Sequence, residues 1–130
     1  MIFFLLLFLL TSHFVTAQNT PSGVSVSPYV LAIQQPDGAT LRIIGRVDQG
    51  IAYTETEDGY TLLKNDRDFY EYAKKGAGGK LKFSGIKAKD AADRSKKEKK
   101  MLRGITQHLR YQSPYRQLIL KKMGNQPYFK

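Results

Sequence analysis

The 130-residue chain has no cysteine and only two histidines, His13 and His108. Without thiols it can form no disulfide, no thiolate metal site and no cysteine nucleophile. The histidines lie far apart, so no imidazole pair falls at i, i+4 on a helix, the spacing by which zinc hydrolases seat their metal. Carboxylates alone would make an unusual zinc site, because zinc favours nitrogen and sulfur ligands. A Ser-His-Asp arrangement would have to use His108, and a lone histidine is more often packed or solvated than catalytic. The acids Glu55, Glu57, Asp58, Asp66 and Asp68 lack the twelve-residue ligand pattern of an EF-type calcium loop, and turn chemistry accounts for Asp58 and Asp66. No catalytic residue, metal or cofactor is therefore expected.

Charge is missing from the first seventeen residues, where Ile2–Leu10 form an unbroken apolar run. That run is about half the roughly 20 residues needed to cross a bilayer. Val15-Thr16-Ala17 then meets the small-x-small rule for signal peptidase, with cleavage between Ala17 and Gln18. A secreted or cell-envelope protein with no stable membrane span after cleavage is expected. The leading segment has no Lys or Arg, which leaves an uncleaved anchor as the alternative. Residues 18–27, rich in Thr, Ser, Pro and Gly, read as a flexible leader.

From residue 28 to 89 the pattern is that of strands and tight turns. Expected strands are Tyr29–Gln35, Thr40–Arg46, Ile51–Thr56, Tyr60–Lys64, Phe69–Ala73 and a short Leu81–Phe83. Pro36-Asp37-Gly38 and Asp58-Gly59 supply turn chemistry, glycine taking the positive-φ position. Leu41, Ile43 and Ile44 break strict alternation, so that strand is either buried on both faces or bulged near Gly45. Along the next strand Ile51, Tyr53 and Glu55 alternate with Ala52, Thr54 and Thr56. The aromatic residues Tyr53, Tyr60, Phe69, Tyr70, Tyr72 and Phe83 read as the hydrophobic face of a sheet rather than a sugar-binding surface.

Residues 90–130 change character. Ser95 and Glu98 match a capping box, and Leu102, Ile105 and Leu109 recur at helical spacing, with Met101 and His108 beside them. Gly104 inside such a helix costs about 1 kcal/mol relative to alanine. Ser113-Pro114 signals a second helix start, with Leu118, Ile119 and Leu120 in its body and a stop at Gly124. The fold class is thus α+β: an antiparallel meander of five or six strands followed by two short helices.

The formal net charge is +10, and it is concentrated in Arg94, Lys96, Lys97, Lys99, Lys100 and Arg103. These residues would suit an anionic partner, or simply form a solvated helix face. Export and the absence of interleaved aromatics argue against nucleic acid.

The stretch from Pro36 to Ala73 carries three short motifs: the Asp37-Gly38 turn, the Thr56–Thr61 segment around Asp58, Gly59 and Tyr60, and an ending with Phe69, Tyr70, Tyr72 and Ala73. With the Lys80–Ile86 strand and the helix beyond, it resembles the amino-terminal, pro-segment-like region of secreted zinc metalloproteases of the immune inhibitor A type, over roughly residues 28 to 111. That family's zinc signature, His-Glu-x-x-His, is absent from these residues. The resemblance implies a non-catalytic module whose partner is a cognate metalloprotease catalytic domain, which it would keep latent, help to fold, or dock against. The alternative is a free-standing secreted adaptor that binds an anionic or glycan surface through its basic helix.

Overall fold

The computed structural model describes residues 24–26 and 29–124; the expected signal segment lies outside them. Seven strands form one antiparallel sheet. They are β1 (Val24–Val26), β2 (Leu31–Gln34), β3 (Thr40–Asp48), β4 (Ile51–Thr56), β5 (Thr61–Lys64), β6 (Tyr70–Lys75) and β7 (Leu81–Lys87). Two helices follow, α1 (Lys96–Leu102) and α2 (Tyr115–Gly124). β1 and β2 lie end to end along one edge of β3, against Arg46–Asp48 and Thr40–Ile43 respectively. The remaining strands then follow in chain order. Val24–Val26, expected in the flexible leader, is thus a sheet strand. Three residues are too few to show an alternation that could be read from sequence.

Three of the hairpin connections share one local design. Gly38, Gly59 and Asp68 have φ of 82°, 91° and 65°. Each donates its N–H to the residue three before it, at 2.8, 2.9 and 3.1 Å. This is a type I turn followed by a left-handed residue, a common three-residue hairpin loop. Pro36 presets φ in the first loop, and aspartate tolerates the left-handed position in the third.

Register sorts the side chains to two faces, and both are covered. Ile43 pairs with Thr56, Thr54 with Leu62, and Leu62 with Tyr72. On this face Leu41, Ile43, Leu62 and Tyr72 join Ala88 and Leu102 in one core, flanked by Ile105. The opposite face carries Ile51, Tyr53, Glu55, Thr61 and Ala73, all buried. Pairing runs unbroken through Gly45, so the mixed pattern of β3 reflects burial on both sides rather than a bulge.

The chain reaches the second face by wrapping the end of the sheet. The expected single helix through Leu109 stops at Leu102 instead. Gly104 and Ile105 then close tight turns onto Met101 and Leu102, at 3.2 and 3.0 Å. His108 N–H donates to Gly59 O at 2.8 Å, and Gln112 N–H donates to Gly79 O at 2.8 Å. This non-helical strap links the β4–β5 turn to the β6–β7 turn. Leu102 and Leu109 serve opposite sheet faces, and a continuous helix would leave the second uncovered. Tyr111 then packs its ring at a tilt against Tyr53 and Tyr115, with ring centres 5.6 and 5.2 Å apart. α2 starts at Tyr115, with Leu118 N–H on Pro114 O at 3.3 Å, so Pro114 lies just before the helix and not at its first position.

Gly79 is where strap and sheet backbones meet most closely. Its φ is 80°, and a Cβ there would overlap the Gln112 carbonyl. Gly79→Ala is expected to cost at least about 1–3 kcal/mol from left-handed strain alone, with further loss as the strap lifts. Hydrogen exchange should show the Gln112 amide losing protection while the β3 amides keep theirs.

The aromatic assignment needs correction. Tyr72 and Tyr53 are the buried rings, on opposite faces, whereas Phe83 is 46% exposed on the edge strand β7. Tyr60 and Phe69, expected in the core, are half-buried. Tyr60 sits edge-on to Tyr72 at 5.6 Å, and Lys87 caps the Phe69 ring at 5.3 Å. Tyr60 lies just ahead of β5 and Phe69 just ahead of β6, at strand ends, whereas Tyr72 lies within β6.

Candidate functional site

Three charged assemblies stand out, two buried and one exposed. On the core face, Arg94 is 8% exposed. Its guanidinium forks onto both Asp58 oxygens, Nη2 to Oδ1 at 2.9 Å and Nη1 to Oδ2, while Nε donates to the Tyr72 hydroxyl at 2.9 Å. The Tyr60 and Tyr72 rings flank it at 5.3 and 5.4 Å. The Arg94 hydrogen bond holds the Asp58 carboxyl below its ordinary value despite partial burial. Burial alone would lower the Arg94 pKa, but Asp58 and Tyr72 reverse this and raise it. Such a bidentate, partly desolvated pair fixes geometry as well as charge. It ties the segment ahead of α1 to the β4–β5 turn.

On the opposite face, Glu55 is fully buried. Arg110 Nη1 donates to its Oε1 at 2.7 Å, Arg46 Nε donates to Oε2, and His108 Nδ1 lies 3.2 Å from both oxygens. Burial pushes the Glu55 carboxyl up, but the hydrogen bonds from Arg110, Arg46 and His108 outweigh it and hold it below the usual value. Asp48 pairs with Arg110 at 3.3 Å, so the two arginines face two carboxylates. With Glu55 ionised, His108 carries its proton on Nδ1 and donates. That orientation matches the first two members of a hydrolytic triad. Yet no hydroxyl bonds to Nε2 among the described residues, and that nitrogen lies beside Gly59. Through Glu55 of β4, Arg46 of β3, and His108 and Arg110, the cluster joins the strap to the sheet.

The third assembly is the outer face of α1. Ser95 and Glu98 form the expected capping box, with Ser95 N–H to Glu98 Oε2 at 2.7 Å and Glu98 N–H to Ser95 Oγ at 3.1 Å. Glu98 also binds Lys89 at 2.7 Å. At about 100° per residue, Lys96, Lys97 and Lys100 project away from buried Leu102, Lys99 lies on its flank about 60° around the helix, and Arg103 is the C-cap; all five are exposed. None of them forms an ion pair among the described residues. Arg94, expected beside them as an anion contact, is instead buried against Asp58. A guanidinium lodged between two tyrosines cannot reach a partner.

The motif residues divide between turns and packing. Asp37 and Gly38 form the first loop, where Lys87 pairs with Asp37. Asp58 and Gly59 form the second, Tyr72 and Ala73 are buried, and Tyr60, Phe69 and Tyr70 are partly buried. The Glu55 cluster was overlooked in sequence, although its signal was present: Glu55 falls in phase with Ile51 and Tyr53, on an apolar face. Among the described residues no group of three His, Cys, Asp or Glu is placed to hold a metal ion, and no helix is long and apolar enough to cross a membrane. The chain matches no family model, no curated protein and no solved structure.

Proposed function

We propose that this chain is a secreted, non-catalytic module of the kind that precedes the zinc domain in immune inhibitor A-type metalloproteases, and that it works by docking on such a domain. The observation that carries this reading is where the family-like residues fall. Asp37, Gly38, Asp58, Gly59, Tyr60, Phe69, Tyr70, Tyr72 and Ala73 sit in the turns and core of one sheet, and Asp58 anchors Arg94 beneath α1. Residues so placed specify a platform rather than a reaction. The platform presents an exposed cationic helix face and exposed apolar side chains, among them Met101, Leu118 and Leu120 at 45%, 50% and 37% exposure. Both are suited to a protein partner.

The chain from Gln18 onward should co-elute with an immune inhibitor A-type catalytic domain in gel filtration. If the α1 face contributes, the complex should weaken between low and high salt, because exposed charges are screened over about 8–10 Å at physiological ionic strength. Separate elution at every salt concentration would count against docking. A second reading rests on the same five unpaired cations: a free-standing adaptor on an anionic surface. Salt-sensitive retention on an anionic matrix, with no affinity for the protease, would favour it.

A further inference from the structure

We infer an oxyanion-binding cleft at the β6–β7 end of the sheet, built from the facing pair Lys74 and Lys82 and the strap, with Lys75 at its rim. Lys74 stands directly across from Lys82 in the antiparallel pair, and Lys75 follows across from Leu81. Like charges placed opposite one another destabilise a sheet, yet among the described residues no acid pairs with these three lysines. Elsewhere on the sheet the cations have partners: Arg42 has Glu57, Arg46 has Glu55, Lys64 has Asp68, and Lys87 has Asp37.

The cleft above them has a volume of about 290 Å³ and is closed by Gly104, Ile105, Thr106 and Leu109. A second cleft of about 220 Å³ adjoins it through Lys75, Thr106 and Leu109 and adds Lys80 and Arg110. No carboxylate lines either one. Lys80 is held over the Tyr115 ring at 5.3 Å, and Arg110 by Glu55, so Lys74, Lys75 and Lys82 are the uncommitted charges. Thr106 adds a hydroxyl and an N–H with no protein acceptor among the described residues.

The facing ammonium groups of Lys74 and Lys82, with no arginine fork and with Lys75 at the rim shared by the two clefts, fit a multiply charged tetrahedral anion, a phosphate or sulfate group, better than a planar carboxylate. The anion would relieve the Lys74–Lys82 repulsion and lock the strap against β6. This site is distinct from the outer face of α1, and it stands whether or not the chain docks on a protease.

The test titrates the isotope-labelled chain with inorganic phosphate, sulfate and tripolyphosphate against chloride at matched ionic strength, followed by amide shifts. Saturable shifts at Lys74, Lys82 and Thr106 are expected with the oxyanions only. Lys82→Gln should weaken binding at least about tenfold, since a hydrogen bond to a charged group contributes about 1.5–3 kcal/mol. Lys82→Glu should abolish binding and raise stability in the absence of anion, because it creates a cross-strand pair with Lys74. A sulfated disaccharide and a longer sulfated oligosaccharide separate the sources. Equal binding points to a small anion; tighter binding by the longer chain, with shifts spreading to Lys99 and Lys100, points to a polysaccharide-borne group. Shifts that chloride reproduces, that stay on α1, or that survive Lys82→Glu would overturn the site.

Discussion

Glu55→Gln is expected to destabilise the fold by about 3–5 kcal/mol, the usual cost of stranding buried charges by removing their partner. The side-chain volume is kept, so no cavity contributes. What changes is that Arg46 and Arg110, whose side chains are only 20% and 15% exposed, lose their shared carboxylate. The effect should carry a pH signature. The folded-state pKa of Glu55 is lowered, so its contribution is present above the unfolded value, near 4.3, and is lost as pH falls through the folded value. Asp58, held down chiefly by Arg94, behaves the same way. The denaturation midpoint of the unmodified chain should therefore drop below about pH 4. Glu55→Gln should lose less on acidification, having already lost the contribution at neutral pH. Equal midpoints for the two proteins at pH 7 would show that Glu55 does not hold the strap.

Tyr72→Ala is expected to cost a similar amount, about 3–5 kcal/mol, as for other fully buried aromatic side chains. The ring fills the centre of the core beside Leu62 and Leu102. Its hydroxyl also accepts from Lys89 N–H at 3.0 Å and from Arg94 Nε at 2.9 Å. Tyr72→Phe keeps the ring and removes only those bonds and the hydroxyl's own donation to Lys89 O at 3.0 Å, so a loss of about 1–3 kcal/mol is expected. Lys97→Ala, on the exposed face of α1, should change stability by no more than about 0.5 kcal/mol. Chemical denaturation of the three variants separates ring packing from the hydroxyl network. A Tyr72→Ala midpoint equal to that of Lys97→Ala would contradict the core described above.

What could be read from the sequence follows how local the cause is. The Asp37-Gly38 and Asp58-Gly59 turns, the Ile51–Thr56 strand and the Ser95 capping box each depend on neighbouring residues, and the structure has them as expected. The antiparallel meander followed by two helices was legible for the same reason. The end of α1 at Leu102 was not, because the spacing of Ile105 and Leu109 suits a helix equally well. Only the sheet, with a second face to cover, pulls Leu109 away from Leu102. Arg94 looked like the first cation of a basic run, and its burial depends on Asp58, 36 residues earlier in the chain. The Glu55 cluster likewise joins residues 53 and 55 positions apart, His108 and Arg110. A glutamate in phase with apolar neighbours was its only trace in the sequence. Long-range charge pairs leave no periodicity, so the features that hold the strap were the ones that sequence concealed.

The most direct measurement of the docking account follows the activity and refolding yield of an immune inhibitor A-type catalytic domain with and without the chain from Gln18 onward. Tyr72→Ala serves as the unfolded control. The account predicts slower substrate cleavage or a higher yield of refolded enzyme with the folded chain, and neither with the control. A catalytic domain that refolds and cleaves identically with the folded chain, the control or buffer would contradict it.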